Sequence, residues 1–432
     1  MYILLMRRHE RRYHVIVIGA GPAGLFSTLF CGGRVLVLEK GSRAGRKLLL
    51  TGGGRCNLSH EGDLESFASR YGSGGEFLRS ALGRFSNRDT RAFFQHRGLP
   101  LLAEADGRIF PHAGGAAAVR DLLVRGSREA GALLVTGAPV RSVAARDGFA
   151  VRAGDRVWHA GNLLITTGGM SHPATGSSGD GYRLASSLGH TVEEPAPALT
   201  PLVLRDHPFP HLAGLTLPEA GLSFRRSGRR VCSAEGPVLV THRGLSGPAV
   251  LDLSRWVRAG DEARLDLAPR WTWEELAGLL AGCPGVISVK RMLAQRLGLP
   301  ERFVVYVLER AGVPPAASCS QIGRRRRAAL VEQAKGMVLT VESPEGFHAA
   351  MVTRGGVSLR EIDPRTMASR LVPGLYFAGE VMDVDGATGG YNLQAAFSTG
   401  AVAGMAMNIH RRPNNGRPNN SLDRSGRRSY PC

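Results

Sequence analysis

With 432 residues, the chain is long enough for two or three domains with self-sufficient cores. A content of 43% hydrophobic and 21% charged residues excludes wholesale disorder. Two quantities are unusual, a formal charge of +19 and a count of 57 glycines. The glycines keep no three-residue period, which excludes a collagen-like chain and points to tight turns or close backbone approach to a ligand.

Only four of the 55 basic residues are lysine, Lys40, Lys47, Lys290 and Lys335. That bias reads as GC-rich codon usage. Most of the charge surplus sits in residues 1–14, in Arg324–Arg327 and in residues 411–432. Such runs are usually solvated surface, which argues against a nucleic-acid partner. No apolar stretch approaches the ~18 residues of a membrane span. The cysteines (Cys31, Cys56, Cys232, Cys283, Cys319 and Cys432) are scattered with no CxxC pair. Neither a metal site nor a disulfide framework is therefore expected, and the expected compartment is the cytoplasm.

Residues 1–13 read as a disordered basic leader. Val15–Ile18 is a β-branched run that predicts a buried parallel strand. Gly19-Ala20-Gly21-Pro22-Ala23-Gly24 follows, then a helix over Leu25–Cys31 and a second strand, Val35–Leu38, ending on Glu39. Strand, glycine turn, helix, strand and terminal acid form a mononucleotide-binding βαβ unit. Gly19 permits the turn, Gly21 lets the backbone approach a pyrophosphate, and Gly24 allows close helix packing. Glu39 is placed to accept hydrogen bonds from ribose hydroxyls.

A glycine-rich basic loop follows, Gly45-Arg46-Lys47 and Thr51 to Asn57. Helices are predicted over Asn87–His96 and Ala116–Ala130, each ended by glycine, and an antiparallel meander over residues 133–160. Leu163–Thr167 reads as a buried strand closed by Gly168-Gly169. Residues 198–345 read as an insert with a β part over 198–270 and a helical part over 271–345. The first domain resumes over 346–410 with a strand at Leu375–Ala378, Gly379-Glu380, the turn Thr388-Gly389-Gly390-Tyr391-Asn392 and a helix over Leu393–Ile409. Residues 411–432 read as a disordered tail. The unit at Gly19–Glu39 serves FAD and NAD alike. No second fingerprint occurs, and the later glycine turn heads a helix able to face an anionic flavin ring, which favours FAD.

The blocks "VIVIGAGPAGL", "GRKLLLTGGGRCNLS", "THRGLSGPAVLDLS" and "GEVMDVDGATGGYNLQ" occur in this order, and over residues 14–410 the chain resembles the bacterial FAD-binding flavoproteins of the YhiN, BaiN or aminoacetone-oxidase family. The resemblance implies an α/β fold, a glutathione-reductase-like FAD-binding Rossmann domain (14–197 and 346–410) interrupted by a β-barrel-like plus helical domain. It implies FAD as cofactor and NAD(P)H or an amine-type substrate as electron donor. O2 or an enone-type acceptor would reoxidise the flavin. By position, it assigns Gly19, Gly21, Pro22, Ala23, Gly24 and Glu39 to the FAD-ADP site, with Lys40 as a further cofactor-binding residue. Arg46, Lys47, Gly54, Arg55, Cys56 and Asn57 fall on the loop along the pyrophosphate and ribityl chain. Val140 is a further cofactor-binding position, Thr167, Gly168 and Gly169 lie below the cofactor, Gly379 and Glu380 at the ribityl and phosphate contact, and Gly389, Gly390, Asn392 and Leu393 at the flavin ring. The stretch from Gly24 to Glu39 is about three residues shorter than the family's pattern.

His242 and Tyr391 are the candidate catalytic residues, His242 as an acid or base titrating near neutrality. His172, Asp383 and Asp385 lie in motif blocks that border the flavin. Cys56 has no partner cysteine in sequence and reads as packing. A small-molecule substrate is expected, and the oligomeric state is open. Two other function classes stay open, a flavoprotein associated with RNA, as in tRNA modification, and a flavin-binding protein without turnover.

Overall fold

A computed structural model describes residues 12–408, so most of the basic leader, the tail after 410 and the end of the last predicted helix lie outside the described residues. The described residues form two large hydrophobic cores, one from Val15 to Ala185 that resumes at Val357, the other from Leu202 to Val341.

The first core is built on a seven-stranded sheet. β1 (Arg12–Ile18) begins two residues before the predicted domain boundary and turns into α1 (Pro22–Thr28), followed by β2 (Val35–Leu38). The helix predicted over Leu25–Cys31 thus starts at Pro22, where proline's fixed φ and missing N–H suit the first turn. A small sheet of β3 (Ser59–His60), β4 (Leu101–Ala103) and β5 (Arg108–Pro111) lies beside α2 (Leu64–Ser69), α3 (Gly75–Arg84) and α4 (Asn87–His96). Next come α5 (Gly115–Glu129) and β6 (Leu133–Val135), then β7 (Val140–Ala145), β8 (Phe149–Ala153) and β9 (Arg156–Ile165). The meander predicted over 133–160 holds only from β7 onward. β6 pairs in parallel with β2 because it follows a helical crossover, which returns a strand in parallel.

After α6 (Asp180–Ser187) the chain leaves along β10 (Val192–Ala198). The second core holds β11 (Leu202–Arg205), β12 (Thr216–Arg226), β13 (Arg229–Val240), β14 (Gly244–Ser246), α7 (Pro248–Leu253) and β15 (Glu262–Asp266). Four helices follow, α8 (Trp273–Ala281), α9 (Val289–Leu297), α10 (Glu301–Arg310) and α11 (Arg324–Lys335), before β16 (Met337–Pro344). The strands close into a barrel in the order β11-β14-β13-β12-β15-β16. β16 falls within the range read from sequence as helical, yet it closes the barrel between β11 and β15 and so removes both sheet edges. The chain returns on β17 (Val352–Val357), antiparallel to β10, and ends with β18 (Leu375–Phe377) and α12 (Tyr391–Ala406).

One cysteine expectation is corrected. Cys283 and Cys319 form a disulfide with Cα atoms 5.9 Å apart. Folding of α8–α11 brings together two positions 36 residues apart that no spacing motif announces. No described helix is long and apolar enough to cross a membrane.

Packing in the first core depends on bare backbone. A Cβ at Gly400 of α12 would lie 2.5 Å from the Ala23 carbonyl oxygen, and one at Gly404 would lie 2.3 Å from that of Ser27. These two glycines let α12 cross α1 at near-backbone contact. Phe26, Phe85, Phe93 and Phe397 fill the space beside the crossing with edge and tilted ring contacts.

Candidate functional site

The parallel strands end level. Ile18 pairs with Leu38 and with Ile165, and Ile165 pairs with Phe377. Ligands of open α/β sheets bind outside such carboxyl ends, and a cleft of about 1460 Å³ including its open mouth lies there.

The glycine turn shapes one wall. Gly19 has φ +103°, and a Cβ on it would sit 2.6 Å from the Thr166 carbonyl oxygen. Gly24 is closer still, since its Cβ would lie 2.1 Å from the Gly19 carbonyl oxygen. At Gly21, by contrast, a Cβ would meet nothing within 4 Å. Its backbone therefore borders open cleft, where a ligand can approach it directly.

Charges along the cleft are paired but reachable. The Glu39 carboxylate accepts from the Ala20 N–H at 2.9 Å and the Gly41 N–H at 2.7 Å, which fixes its place at the end of β2. Lys47 pairs with Glu380 at 2.7 Å with both side chains partly exposed, and Lys40 pairs with Asp180 at 2.6 Å. Glu380 also accepts from the Thr353 N–H at 2.8 Å and from the Ser171 hydroxyl at 3.2 Å. Arg46 donates to the Ala174 carbonyl at 2.9 Å. The Thr167 hydroxyl is buried with no hydrogen-bond partner among the described residues, leaving one donor and acceptor for a ligand.

Most of the sequence-predicted residues converge here. Gly19, Gly21, Pro22, Ala23, Glu39, Lys40, Arg46, Lys47, Val140, Thr167, Gly168, Gly379, Glu380, Asn392 and Leu393 line the cleft. Gly24, Gly54, Arg55, Cys56, Asn57, Gly169, Gly389 and Gly390 do not. Gly24 supports the turn from behind. Arg55 pairs with Glu104 and lies over the Phe110 ring. Cys56 is fully buried, and burial pushes its thiol up to about 12, which suits packing and not redox exchange. Asn57 Oδ1 is buried beside Gly390 with no hydrogen-bond partner among the described residues. Sequence reasoning missed Ser171, Ser178, Asp180 and Thr353. The first three stand in the block "TTGGMSHPATGSSGDGYRL", whose density of glycine and hydroxyl residues was the available signal.

Neither catalytic candidate lines the cleft. His242 is exposed on the turn between β13 and β14. Tyr391 is buried, its ring stacked on His60 at 5.1 Å and edge-on to Phe67 and Tyr71. Asp383 and Asp385 alternate with Met382 and Val384, and only the latter two line the cleft. His172 lies at the cleft's edge, where burial and then the Lys47 charge lower its pKa.

Asp385 instead meets the inserted domain. Arg255, just after α7, has a side chain only 5% exposed and pairs with the Asp385 carboxylate. Its guanidinium also donates to the Asp385 carbonyl at 2.6 Å and the Arg70 carbonyl at 3.0 Å. Asp252 of α7 accepts from the Thr388 N–H at 2.7 Å. Burial raises the pKa of Asp252 and of Asp385, and the Arg255 charge opposes the rise in both. Two side chains of the insert thus clamp the turn that presents Asn392 and Leu393, and Asn392 locks the same turn through the Gly386 N–H and carbonyl.

A family model described as the HI0933-like protein Rossmann domain matches residues 13–406. The 3-dehydro-bile acid delta(4,6)-reductase of Clostridium scindens is 31% identical over 408 residues, covering 90% of this chain and 98% of that protein. The ribosomal RNA dihydrouridine synthase of Escherichia coli is 34% identical over 401 residues, covering 90% of this chain and 96% of that protein. Its namesake from Haemophilus influenzae is 32% identical over 408 residues, covering 91% and 98%. Among solved structures, the 3-ketosteroid-delta4-(5alpha)-dehydrogenase of Rhodococcus jostii RHA1 matches with a TM-score of 0.51 at 16% identity, covering 92% of this chain and 96% of that one.

Proposed function

The chain belongs to the HI0933-like Rossmann family and is an FAD-dependent oxidoreductase, and we propose that it reduces a carbon–carbon double bond conjugated to a carbonyl, with uridine in RNA as the substrate. One observation carries the reading. Over nearly their whole lengths, the chain is similar to proteins whose names describe one reaction class on unlike substrates. A dihydrouridine synthase saturates the C5–C6 bond of uracil, which is conjugated to the C4 carbonyl, and a 3-oxo bile acid delta(4,6)-reductase saturates ring double bonds conjugated to a ketone. In both, hydride adds to the carbon β (or more remote along the conjugation) to the carbonyl, and a proton then adds to the neighbouring carbon.

The residues on the cleft fit FAD. The open face at Gly21 admits a pyrophosphate, Glu39 keeps lone pairs for the ribose hydroxyls, and Arg46 and Lys47 offset phosphate charge. Thr167 offers the unused hydroxyl, and the first turn of α12, which lines the cleft through Asn392 and Leu393, would border the flavin ring. When bound, FAD supplies two-electron hydride transfer, while the protein supplies position, charge and access. With a single dinucleotide fingerprint in the chain, NAD(P)H as donor and the unsaturated acceptor would use the cleft mouth in turn.

The RNA substrate draws support from two of the curated relatives. A base reached in this way must leave its stack. The bile acid reductase favours a second reading, a free steroid-type enone. The discriminating experiment incubates purified protein with NADPH and, separately, ribosomal RNA lacking dihydrouridine or a 3-oxo-Δ4 steroid. Mass spectrometry should find a gain of two hydrogens on uridine. The same gain on the steroid alone would transfer the proposal to the second reading, and no gain on either would reject both.

A further inference from the structure

We infer that the tip of the β12–β13 hairpin is a docking surface for the phosphate backbone of the RNA substrate. This rests on the RNA reading above and adds the place where the strand is held. The tip reads Arg225-Arg226-Ser227-Gly228-Arg229-Arg230. Ser227 and Gly228 have φ of +49° and +77°, the two left-handed residues of a tight hairpin turn, so the exposed Arg229 and Arg230 are carried on a paired ribbon and not on an irregular loop.

The register makes this arrangement costly for the protein alone. Arg225 faces Arg230 and Arg226 faces Arg229 directly across the ladder, and like charges in directly opposed positions destabilise a hairpin. One of the two pairs is compensated. Arg226 binds the buried Asp261 through two bonds of 2.8 and 2.9 Å. The other is not. Arg225, Arg229 and Arg230 make no ion pair among the described residues, and Arg225 Nε is buried without a hydrogen-bond partner. The acid paired with Arg225 in the adjacent strand, Glu262, is engaged by Arg264 at 2.7 Å. Arg229 and Arg230 are exposed. A local violation of this kind is expected where function requires it, and an anionic strand lying along the tip would relieve it.

The hairpin is also mechanically linked to the cleft. Arg226 donates to the Trp256 carbonyl at 2.9 Å, the preceding Arg255 clamps Asp385, and Asp252 holds the Thr388 N–H. A strand held at the tip is thus registered against the turn that presents Asn392 and Leu393 to the cleft.

The test uses the full-length holoenzyme and a fluorescently labelled single-stranded uridine-containing RNA, with affinity measured across a salt series. R229E/R230E should weaken binding at least tenfold, and R229Q/R230Q should lower the slope of log K against log salt by about 1.4, from two lost single-strand phosphate contacts. FAD content and NADPH-driven flavin bleaching should match wild type, and the Tm of R229Q/R230Q should be no lower. Wild-type binding with unchanged affinity and slope in both variants would overturn the docking surface and leave the RNA reading intact. Failure of the wild type to bind the RNA would reject that reading together with this one. Equal, arginine-dependent binding to anionic phosphatidylserine vesicles would overturn RNA as the occupant.

Discussion

Glycine does different work in the two halves of this molecule. In the nucleotide-binding half it often marks crowding, although Gly21, Gly98 and Gly131 stand open: a Cβ would lie 2.1 Å from backbone oxygen at Gly24, 2.5 Å at Gly400 and 2.3 Å at Gly404. In the insert crowding is confined largely to Gly244 and Gly247, and a Cβ at Gly214, Gly260, Gly278, Gly298, Gly312 or Gly323 would meet nothing within 4 Å among the described residues. The cleft half is therefore specified by backbones that must touch each other or a ligand. The insert is specified by turns, a closed barrel and a charged surface. An unusual glycine content is thus two signals superposed, and only one of them concerns the cofactor.

The comparison can be broken by substitution, and the largest effect is expected where the halves meet. Arg255→Met would leave the Asp385 carboxylate buried without its partner, a loss of about 3–5 kcal/mol. The expected readouts are a fall in Tm and a weakened FAD affinity, since the clamped turn presents Asn392 and Leu393. Arg255→Lys, which keeps the charge but not the fork, should restore only part of the loss. Next in size is Gly24→Ala, where the obstructing atom is a backbone oxygen that cannot swing away. A destabilisation of about 1–3 kcal/mol with loss of bound flavin is expected by thermal melting and absorbance. The smallest effect has the opposite sign. Gly278→Ala, in the interior of α8 with open space around it, should stabilise by about 0.4–1 kcal/mol without changing flavin content. If Gly24→Ala and Gly278→Ala moved Tm alike, the division between crowded and open glycines would be wrong.

What the sequence revealed follows the same division. The βαβ unit from Val15 to Glu39 was legible because its strand, turn, helix and acid are consecutive, and each residue type has a local reason. The insert was legible only as a change of texture. The closing strand Met337–Pro344 was hidden among helices because closure pairs residues far apart in sequence, such as Leu202 with Pro344. The Arg255 clamp spans 130 residues, and the Cys283–Cys319 bridge joins segments that only helix packing brings together. The RRSGRR tip did carry a local signal, a Ser-Gly turn flanked by paired arginines. Its cost becomes visible only with the register, which sets Arg225 opposite Arg230.

The central claim, that the cleft at the strand ends is an FAD site, is tested most directly by flavin stoichiometry of the purified full-length chain, followed by absorbance at about 450 nm. The account predicts one FAD per chain, released on denaturation and taken up again on refolding, and its loss in Gly24→Ala. A colourless protein that takes up no FAD when it is supplied in excess would contradict it.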